Sequence, residues 1–238
     1  MRGPYGFELT DNCRTCKLRG TGWFCQLASV VLNDLDSITS AAAYPDGAVL
    51  FVEQQASRGV FVVCQGEVKL TVTSSEGKTM ILRVARPGEI LGLQAVLSGH
   101  PYEVTAETLH PCQVAFIPRD SFLRLMQQHA EVSGNVVKHL TTQYQTAYEQ
   151  LRTVALASSP HERLAKLLLG WAREGQKTAL GTKVKLPLTH EEMGECIGVT
   201  RETVTRTLGD FKHQRLVTIQ GSTLMISNLA ALENFVTV

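Results

Sequence analysis

The sequence predicts an α+β protein: a β-roll of short antiparallel strands, then a long helix, then a winged helix-turn-helix. Turn-like glycines recur at every eleventh residue through the first half, at Gly66, Gly77, Gly88 and Gly99. Residues 131–154 contain a series of positions spaced alternately four and three residues apart. This spacing is typical of a helix that packs along one face, its seam. Two helix-capping signals, at Thr189 and Thr200, precede a β-hairpin pattern.

The composition is that of an ordinary globular protein. Of its 238 residues, 44% are hydrophobic and 19% are charged, which allows two domains that each bury a core. The net charge of +1 argues against an indiscriminate binder of polyanions. No stretch approaches the roughly 18 apolar residues of a membrane span, and the N-terminus lacks an apolar signal core. We therefore expect a cytoplasmic protein.

Residues 1–27 form a cysteine-bearing arm, with Cys13, Cys16 and Cys25 in a C-x2-C-x8-C pattern. Thiolates at this spacing can share a soft metal or an iron–sulfur cluster, and a C-x-x-C pair can also form a redox disulfide. A third interpretation is that the thiols only pack. A metal site needs one more ligand, for which Cys112 is the best-placed candidate.

Residues 28–129 are predicted to form the β-roll. This domain begins with a short helix over residues 29–40, with an inner side of Val30, Val31, Leu35 and Ile38. Apolar residues then alternate with polar ones at Val68, Leu70 and Val72, and again at Met80, Leu82 and Val84. Regular turn signals between such runs indicate stacked short strands.

Residues 130–157 are predicted to be a dimerisation helix and hinge. The predicted seam consists of Val136, Leu140, Gln143, Ala147, Gln150 and Val154. Such a seam needs a partner, and a second copy of the chain is the partner we expect. The alternative is packing against the chain's own β-roll. A hinge at Ser158-Ser159-Pro160 leads into the last domain.

Residues 158–238 are predicted to form the winged helix-turn-helix. Thr189 and Glu192 form a capping-box signature, and Thr200 can cap the second helix. A short strand through Val184, Leu186 and Leu188 precedes these helices. A hairpin over residues 216–226 follows them as the wing.

The second helix carries a polar face suited to reading DNA. Its members are Arg201, Glu202, Thr205 and Arg206, near the helix N-terminus. Arginine can grip guanine with two bonds, and a carboxylate can accept from the cytosine amino group. Phosphate contacts are expected from Thr189, Thr203, Lys212 and Arg215. The alternative is a solvated face of an ordinary helical hairpin.

No enzyme is expected from these motifs. The sequence contains no G-x-S-x-G elbow, no Walker loop and no H-E-x-x-H pair. The rival interpretation is a thiol–disulfide redox protein that uses Cys13 and Cys16. That motif lacks the βαβ context in which it normally works.

The run GVTRETVTRTLGDF at residues 198–211, with the strand and wing around it, resembles the DNA-reading unit of the Crp/Fnr family of bacterial transcription regulators. The resemblance implies a β-roll sensor like a cyclic nucleotide-binding domain, a homodimer through the long helix, and RNA polymerase as a partner. It also implies a near-palindromic site on double-stranded DNA. The SGHP run at residues 98–101 resembles the oxygen-sensing, fumarate–nitrate branch.

That branch carries a [4Fe–4S] cluster on an N-terminal cysteine group and one late β-roll cysteine. The resemblance implies that Cys13, Cys16, Cys25 and Cys112 hold such a cluster. Cys112 stands three residues before the branch's fourth position, where this chain has Ala115. A shift of three reverses the face of a strand.

Cyclic AMP is not expected to be the ligand. Where the cyclic nucleotide-binding members of the family have a phosphate-binding glutamate, this chain has a leucine within the turn Pro87–Leu93. Where those members have an Arg-Ser pair, it has Tyr102 and Glu103. A carboxylate facing a phosphate is strongly unfavourable.

Overall fold

The computed structural model describes residues 4–6, 9, 13, 16, 22, 25–156, 159–173 and 175–236. The chain divides into two compact units, Met1–Thr146 and Ala147–Val238. The predicted hinge residue Ser158 lies outside the described residues, as does most of the cysteine arm. None of the described helices combines the length and apolar character needed to cross a bilayer.

The described residues of the first unit form eight strands and the helices around them. The strands are β1 (Ser40–Tyr44), β2 (Val49–Phe51), β3 (Gly59–Gln65), β4 (Val68–Thr73), β5 (Thr79–Ala85), β6 (Ile90–Leu91), β7 (Thr105–Thr108) and β8 (Cys112–Pro118). The helices are α1 (Ser29–Ser37), α2 (Leu93–Ser98), α3 (Arg119–Gln128) and α4 (Ala130–Leu156), the last of which continues into the second unit.

The strands form two antiparallel four-stranded sheets, in the orders β1-β8-β3-β6 and β2-β7-β4-β5. The inter-sheet core lies between them and includes Phe51, Phe61 and Val63. The helix-facing core lies on the other face of β3, where Val60 packs with residues of α1 and α3 such as Leu32. This two-sheet arrangement confirms the predicted β-roll.

Two β-bulges shift the faces that a simple alternation predicts. One lies between Leu70 and Thr71, where the β4–β5 register shifts. On β5 the buried side chains are consequently Ile81 and Ala85, whereas the predicted alternating set of Met80, Leu82 and Val84 is only half-buried. The other lies in β3 between Val63 and Gln65, and makes Cys64 the extra residue.

Helix α1 is shorter than predicted and is turned slightly about its axis. It ends at Ser37, since the Thr39 hydroxyl donates to the Leu35 carbonyl at 2.6 Å and Ser40 already begins β1. Leu32 is fully buried, whereas Val30, predicted to face inward, is 68% exposed.

Helix α4 is confirmed as one long helix, but its seam lies differently from the prediction. Val136 is 2% exposed and packs in the helix-facing core, and Leu140 packs against the same core. Gln143 lies 3.5 Å from the Ile90 carbonyl. The first half of the predicted seam therefore faces the chain's own β-roll, as in the alternative interpretation.

The second unit contains the remaining elements. They are α5 (Pro160–Ala172), β9 (Gln176–Thr178), β10 (Gly181–Lys185), α6 (His190–Ile197), α7 (Arg201–His213), β11 (Val217–Gln220), β12 (Thr223–Ile226) and α8 (Leu229–Glu233). The strands form one antiparallel sheet in the order β11-β12-β10-β9. Strand β10 ends at Lys185, earlier than predicted, because Pro187 cannot donate to a ladder. The helix-turn-helix and its wing are present as predicted.

Candidate functional site

The turn between α6 and α7 is fixed by capping and by a close backbone approach. Thr189 and Glu192 form the predicted capping box, in which the Thr189 amide donates to the Glu192 carboxylate at 2.9 Å. Gly198 ends α6 with φ 69°, a conformation that glycine adopts without strain. A Cβ on Gly194 would lie 2.6 Å from the Val199 carbonyl oxygen, so only glycine lets the backbones approach this closely.

One face of α7 anchors it in the domain core. Thr200 caps the helix by accepting from the Thr203 amide at 3.3 Å. Val204, Leu208 and Phe211 are each at most 1% exposed. Burial of three large apolar side chains stabilises the helix by several kcal/mol, roughly 1.5–3 for each, so its opposite face is held outward.

That opposite face carries the residues predicted to read bases. The exposed side chains are Arg201, Glu202, Thr205 and Arg206, and Lys212 is exposed further along the helix. The structure therefore brings the predicted base-reading set together on one accessible surface. Two of the predicted phosphate contacts, Thr189 and Arg215, are also exposed, whereas Thr203 is half-buried.

The Glu202 carboxylate is held at the positive end of α7. Hydrogen bonds from its own backbone amide and from the Thr200 side chain lower the pKa of Glu202. The group is therefore ionised at neutral pH and acts only as an acceptor. Cytosine N4 is the base-edge group that such an acceptor recognises in the major groove.

His190 is a member of this surface that the sequence analysis missed. Its Nδ1 lies 2.9 Å from the Thr205 hydroxyl, which in turn donates to the Arg201 carbonyl at 3.0 Å. Burial lowers the pKa of His190, and the positive charges of Lys212 and Arg201 lower it further. Its position directly after the capping residue Thr189 was the only sequence signal.

The arm cysteines lie beside the β-roll. Cys13 packs against the helix-facing core, and its backbone amide donates to the Asp36 carboxylate at 2.9 Å. Burial raises the pKa of the Cys13 thiol strongly, and the Asp36 charge raises it further, with smaller contributions from Cys64 and Cys25. Burial, followed by the charge of Cys16, raises the pKa of Cys25. The three predicted arm residues are thus neighbours.

A fourth thiol belongs to this group, and it is Cys64. Burial raises the pKa of Cys64 to about 12, and the next largest causes are the charges of Cys16 and Cys25. Electrostatic interactions thus link Cys64 to Cys13, Cys16 and Cys25, and we call these four residues the four-thiol group. From the sequence, Cys112 was the candidate for the fourth thiol.

The structure places Cys112 elsewhere. It is fully buried in the inter-sheet core, where its Sγ lies 3.1 Å from the His110 carbonyl oxygen and 3.2 Å from that of Glu67. Burial raises its pKa, and its charged neighbours are Glu67 and Asp46 rather than thiols. Cys112 thus lies on the other face of the sheet from Cys13.

The four-thiol group is partly buried and has the donor chemistry for a soft metal, because thiolates select zinc, copper(I) and iron–sulfur centres. In the described part of the chain, no three His, Cys, Asp or Glu side chains are already arranged around one ion position. The residues between the arm cysteines lie outside the described residues. The residue types at this position fit such a metal.

Aromatic side chains fill the interior of the β-roll at Tyr102. This residue stands where the nucleotide-binding members of the family have part of their Arg-Ser pair. Tyr102 is 2% exposed, and its ring stacks on Phe51 at a centroid distance of 4.1 Å. Its hydroxyl donates to the Gly59 carbonyl at 2.7 Å and accepts from the amides of Arg58 and Gly59 at 3.2 Å each. Tyr102 is therefore part of the core.

Comparison with known proteins is consistent with this architecture. A model of the cyclic nucleotide-binding domain matches residues 42–129, and a model of the Crp-like helix-turn-helix domain matches residues 162–235. The CRP-like cAMP-activated global transcriptional regulator of Mycobacterium tuberculosis is 25% identical over 186 residues, which cover 78% of this chain and 83% of that protein.

Two further proteins show similar coverage. The transcriptional activatory protein AadR of Rhodopseudomonas palustris is 24% identical over 209 residues, 87% of this chain and 86% of that protein. The solved structure of FixK2 from Bradyrhizobium japonicum shares the fold, with a TM-score of 0.75 at 22% identity over 84% of this chain and 98% of that chain.

Proposed function

Because this chain belongs to the Crp/Fnr family of transcription regulators, we propose that it binds a near-palindromic DNA site as a homodimer and responds to a redox, oxygen or small-molecule signal. The observation that carries the DNA-binding part is the accessible polar face of α7 above a fully buried apolar face. A recognition helix needs this combination, since it must be rigidly anchored and still enter the major groove.

We assign separate roles to the side chains on that face. Arg201 and Arg206 read guanines through paired bonds to O6 and N7, and Glu202 accepts from a cytosine amino group. The Thr205 hydroxyl already bonds His190 and the Arg201 carbonyl, so its methyl group is assigned to a thymine methyl. Thr189, Thr203 and Lys212 contact phosphates and set the position of the helix.

The homodimer is proposed to form along the exposed side of α4. Four large apolar side chains are exposed there, separated by seven, four and three residues in turn. They are Val137 (63% exposed), Tyr144 (72%), Tyr148 (55%) and Leu151 (63%). This exposed stripe lies one residue beyond the seam predicted from the sequence. An apolar stripe at heptad spacing is what a second copy of the same helix covers.

The signal is proposed to enter through the cysteine arm and to reach α4 through α1. Asp36 near the end of α1 accepts from the Cys13 amide, and Asp34 lies 2.8 Å from His129, which directly precedes α4. The Ala28 amide also donates to Glu131 in the first turn of α4, at 3.3 Å. A displacement of the arm therefore acts on the start of the dimerisation helix.

A [4Fe–4S] cluster is one group that the arm thiols are proposed to hold, and when bound it supplies sensitivity to oxidants. The relative from Mycobacterium tuberculosis is named as cAMP-activated. We propose that cyclic AMP is not the effector here, because Tyr102 is part of the core and the next residue, Glu103, is a carboxylate where the nucleotide-binding members have part of an Arg-Ser pair. RNA polymerase is the proposed partner on the promoter.

Selection from random duplex DNA tests the function. The purified chain is expected to enrich two inverted half-sites whose centres lie about 10–10.5 base pairs apart, with a G·C pair inside each half-site. Enrichment of a single half-site with no inverted copy would contradict the homodimer. Binding with no sequence enrichment would contradict base reading by α7.

A further inference from the structure

The two faces of β3 separate the cysteines of the β-roll. Val60 and Val62 contact the helix-facing core, whereas Phe61 and Val63 contact the inter-sheet core. Cys13 packs against the helix-facing core, which places this residue on that face, the arm's side of β3.

Cys112 belongs to the opposite face. It lies in the inter-sheet core together with Val114, its neighbour at the next position of the same face of β8. To meet the arm, its side chain would have to cross the sheet. Ala115, which pairs directly with Val62, lies on the arm's side, because directly opposed residues of an antiparallel pair share a face.

Cys64 lies on the arm's side, because side chains two residues apart on a strand share a face and Val62 faces that side. It follows Val62 by two residues and is the extra residue where the β3–β8 register shifts. A bulge leaves one residue outside the ladder, and bulges are frequent beside functional sites.

The loop that carries Cys25 packs beside the same stretch of β3. The Cys25 amide donates to the Gly22 carbonyl at 3.0 Å, and a Cβ on Gly22 would lie 2.8 Å from the Gly88 Cα. The Gly88 amide in turn donates to the Val63 carbonyl at 2.7 Å. Backbone contacts thus connect the Cys25 turn to the residue that precedes Cys64.

We propose that Cys64, rather than Cys112, is the fourth thiolate ligand of a soft-metal site formed with Cys13, Cys16 and Cys25. The site takes either a single zinc or iron ion or an iron–sulfur cluster, since all of these accept four thiolates. Metal binding displaces the thiol protons and lets four like-charged ligands coexist. The role of this site in signalling rests on the proposed function, whereas metal binding itself does not.

Matched serine variants test the assignment. Cys64→Ser and Cys112→Ser each replace one β-roll thiol with a hydroxyl that can still donate to the carbonyl groups around it. Full-length wild type and both variants are purified without oxygen, reconstituted with ferrous iron and sulfide, and analysed for bound iron and sulfide. Separate samples are titrated with Co²⁺ and followed by thiolate-to-cobalt charge-transfer absorption. Thermal unfolding confirms that each variant is folded.

We expect Cys112→Ser to bind metal as wild type does, and Cys64→Ser to bind at least about ten-fold more weakly, since even loss of a second-shell group costs about 10–100-fold in affinity. Bound iron together with an equal amount of bound sulfide identifies an iron–sulfur cluster. Cobalt binding by a protein that takes up no sulfide on reconstitution identifies a single-ion site. Loss of metal in Cys112→Ser with retention in Cys64→Ser would overturn the assignment.

A rescue variant keeps the inference testable if Cys64→Ser is unstable. Cys64→Ala combined with Ala115→Cys returns a thiol to the same side of the β3–β8 pair, and it should recover the cobalt absorption. A folded double variant that binds no cobalt would place the site away from these strands. Wild type that binds neither iron nor cobalt but still selects its DNA site would refute the metal site and leave the DNA-reading proposal intact.

Discussion

Leu151 offers a quantitative test of where the dimer forms. The side chain is 63% exposed in the single chain, and burying a whole leucine is worth about 1.5–3 kcal/mol. Covering the exposed part therefore contributes roughly 1–2 kcal/mol per copy, and a two-fold dimer contains two copies. Leu151→Ala should weaken the dimer by about 2–4 kcal/mol, which is a roughly 30- to 1000-fold higher dissociation constant.

Sedimentation equilibrium over a range of protein concentrations measures this constant directly. Leu180→Ala is the matched control, because Leu180 is 78% exposed on the turn between β9 and β10 and is not part of α4. The control should leave the dissociation constant unchanged within about two-fold, as expected for a surface substitution. An equal dissociation constant for wild type and Leu151→Ala would refute dimerisation through the exposed stripe.

Three further predictions concern stability. Thr200→Ala removes the N-cap of α7 and should lower the free energy of unfolding by about 1 kcal/mol in urea titrations. Tyr102→Phe leaves the buried Gly59 carbonyl without its 2.7 Å donor and should cost about 1–3 kcal/mol by the same measurement. Burial lowers the pKa of His139 from its ordinary value of 6.5, so the unfolded chain takes up that proton first as the pH falls. The free energy of unfolding should therefore decrease between about pH 7.5 and pH 5.5, and His139→Gln should flatten that part of the dependence.

The local features of the fold were predictable because their causes are local. A capping threonine and the glutamate three residues later contact each other within one helical turn, so Thr189 and Glu192 already define the start of α6. The apolar residues of α7 repeat at helical spacing, which identifies both its buried face and its exposed face. The predicted base-reading residues are accessible for this reason.

The features that sequence analysis missed depend on distant contacts. Val136 satisfies a heptad pattern equally well whether it faces a second chain or the β-roll, and only the packed structure shows that it faces the β-roll. Likewise, nothing in the sequence near Cys64 marks a bulge, because a bulge is defined by the partner strand. The hydrogen bond between His190 and Thr205 likewise joins residues on two different helices.

Arg206→Ala is the decisive test of base reading by the exposed face of α7. Fluorescence titrations compare wild type, this variant and the exposed control Arg173→Ala on the selected site and on every single-base-pair change within it, at fixed salt. Arg206→Ala is expected to lose about 1–3 kcal/mol on the selected site and to discriminate no longer at one base pair of each half-site. Equal losses on all sequences would show that Arg206 contacts only phosphate, and binding equal to wild type would show that it does not contact DNA.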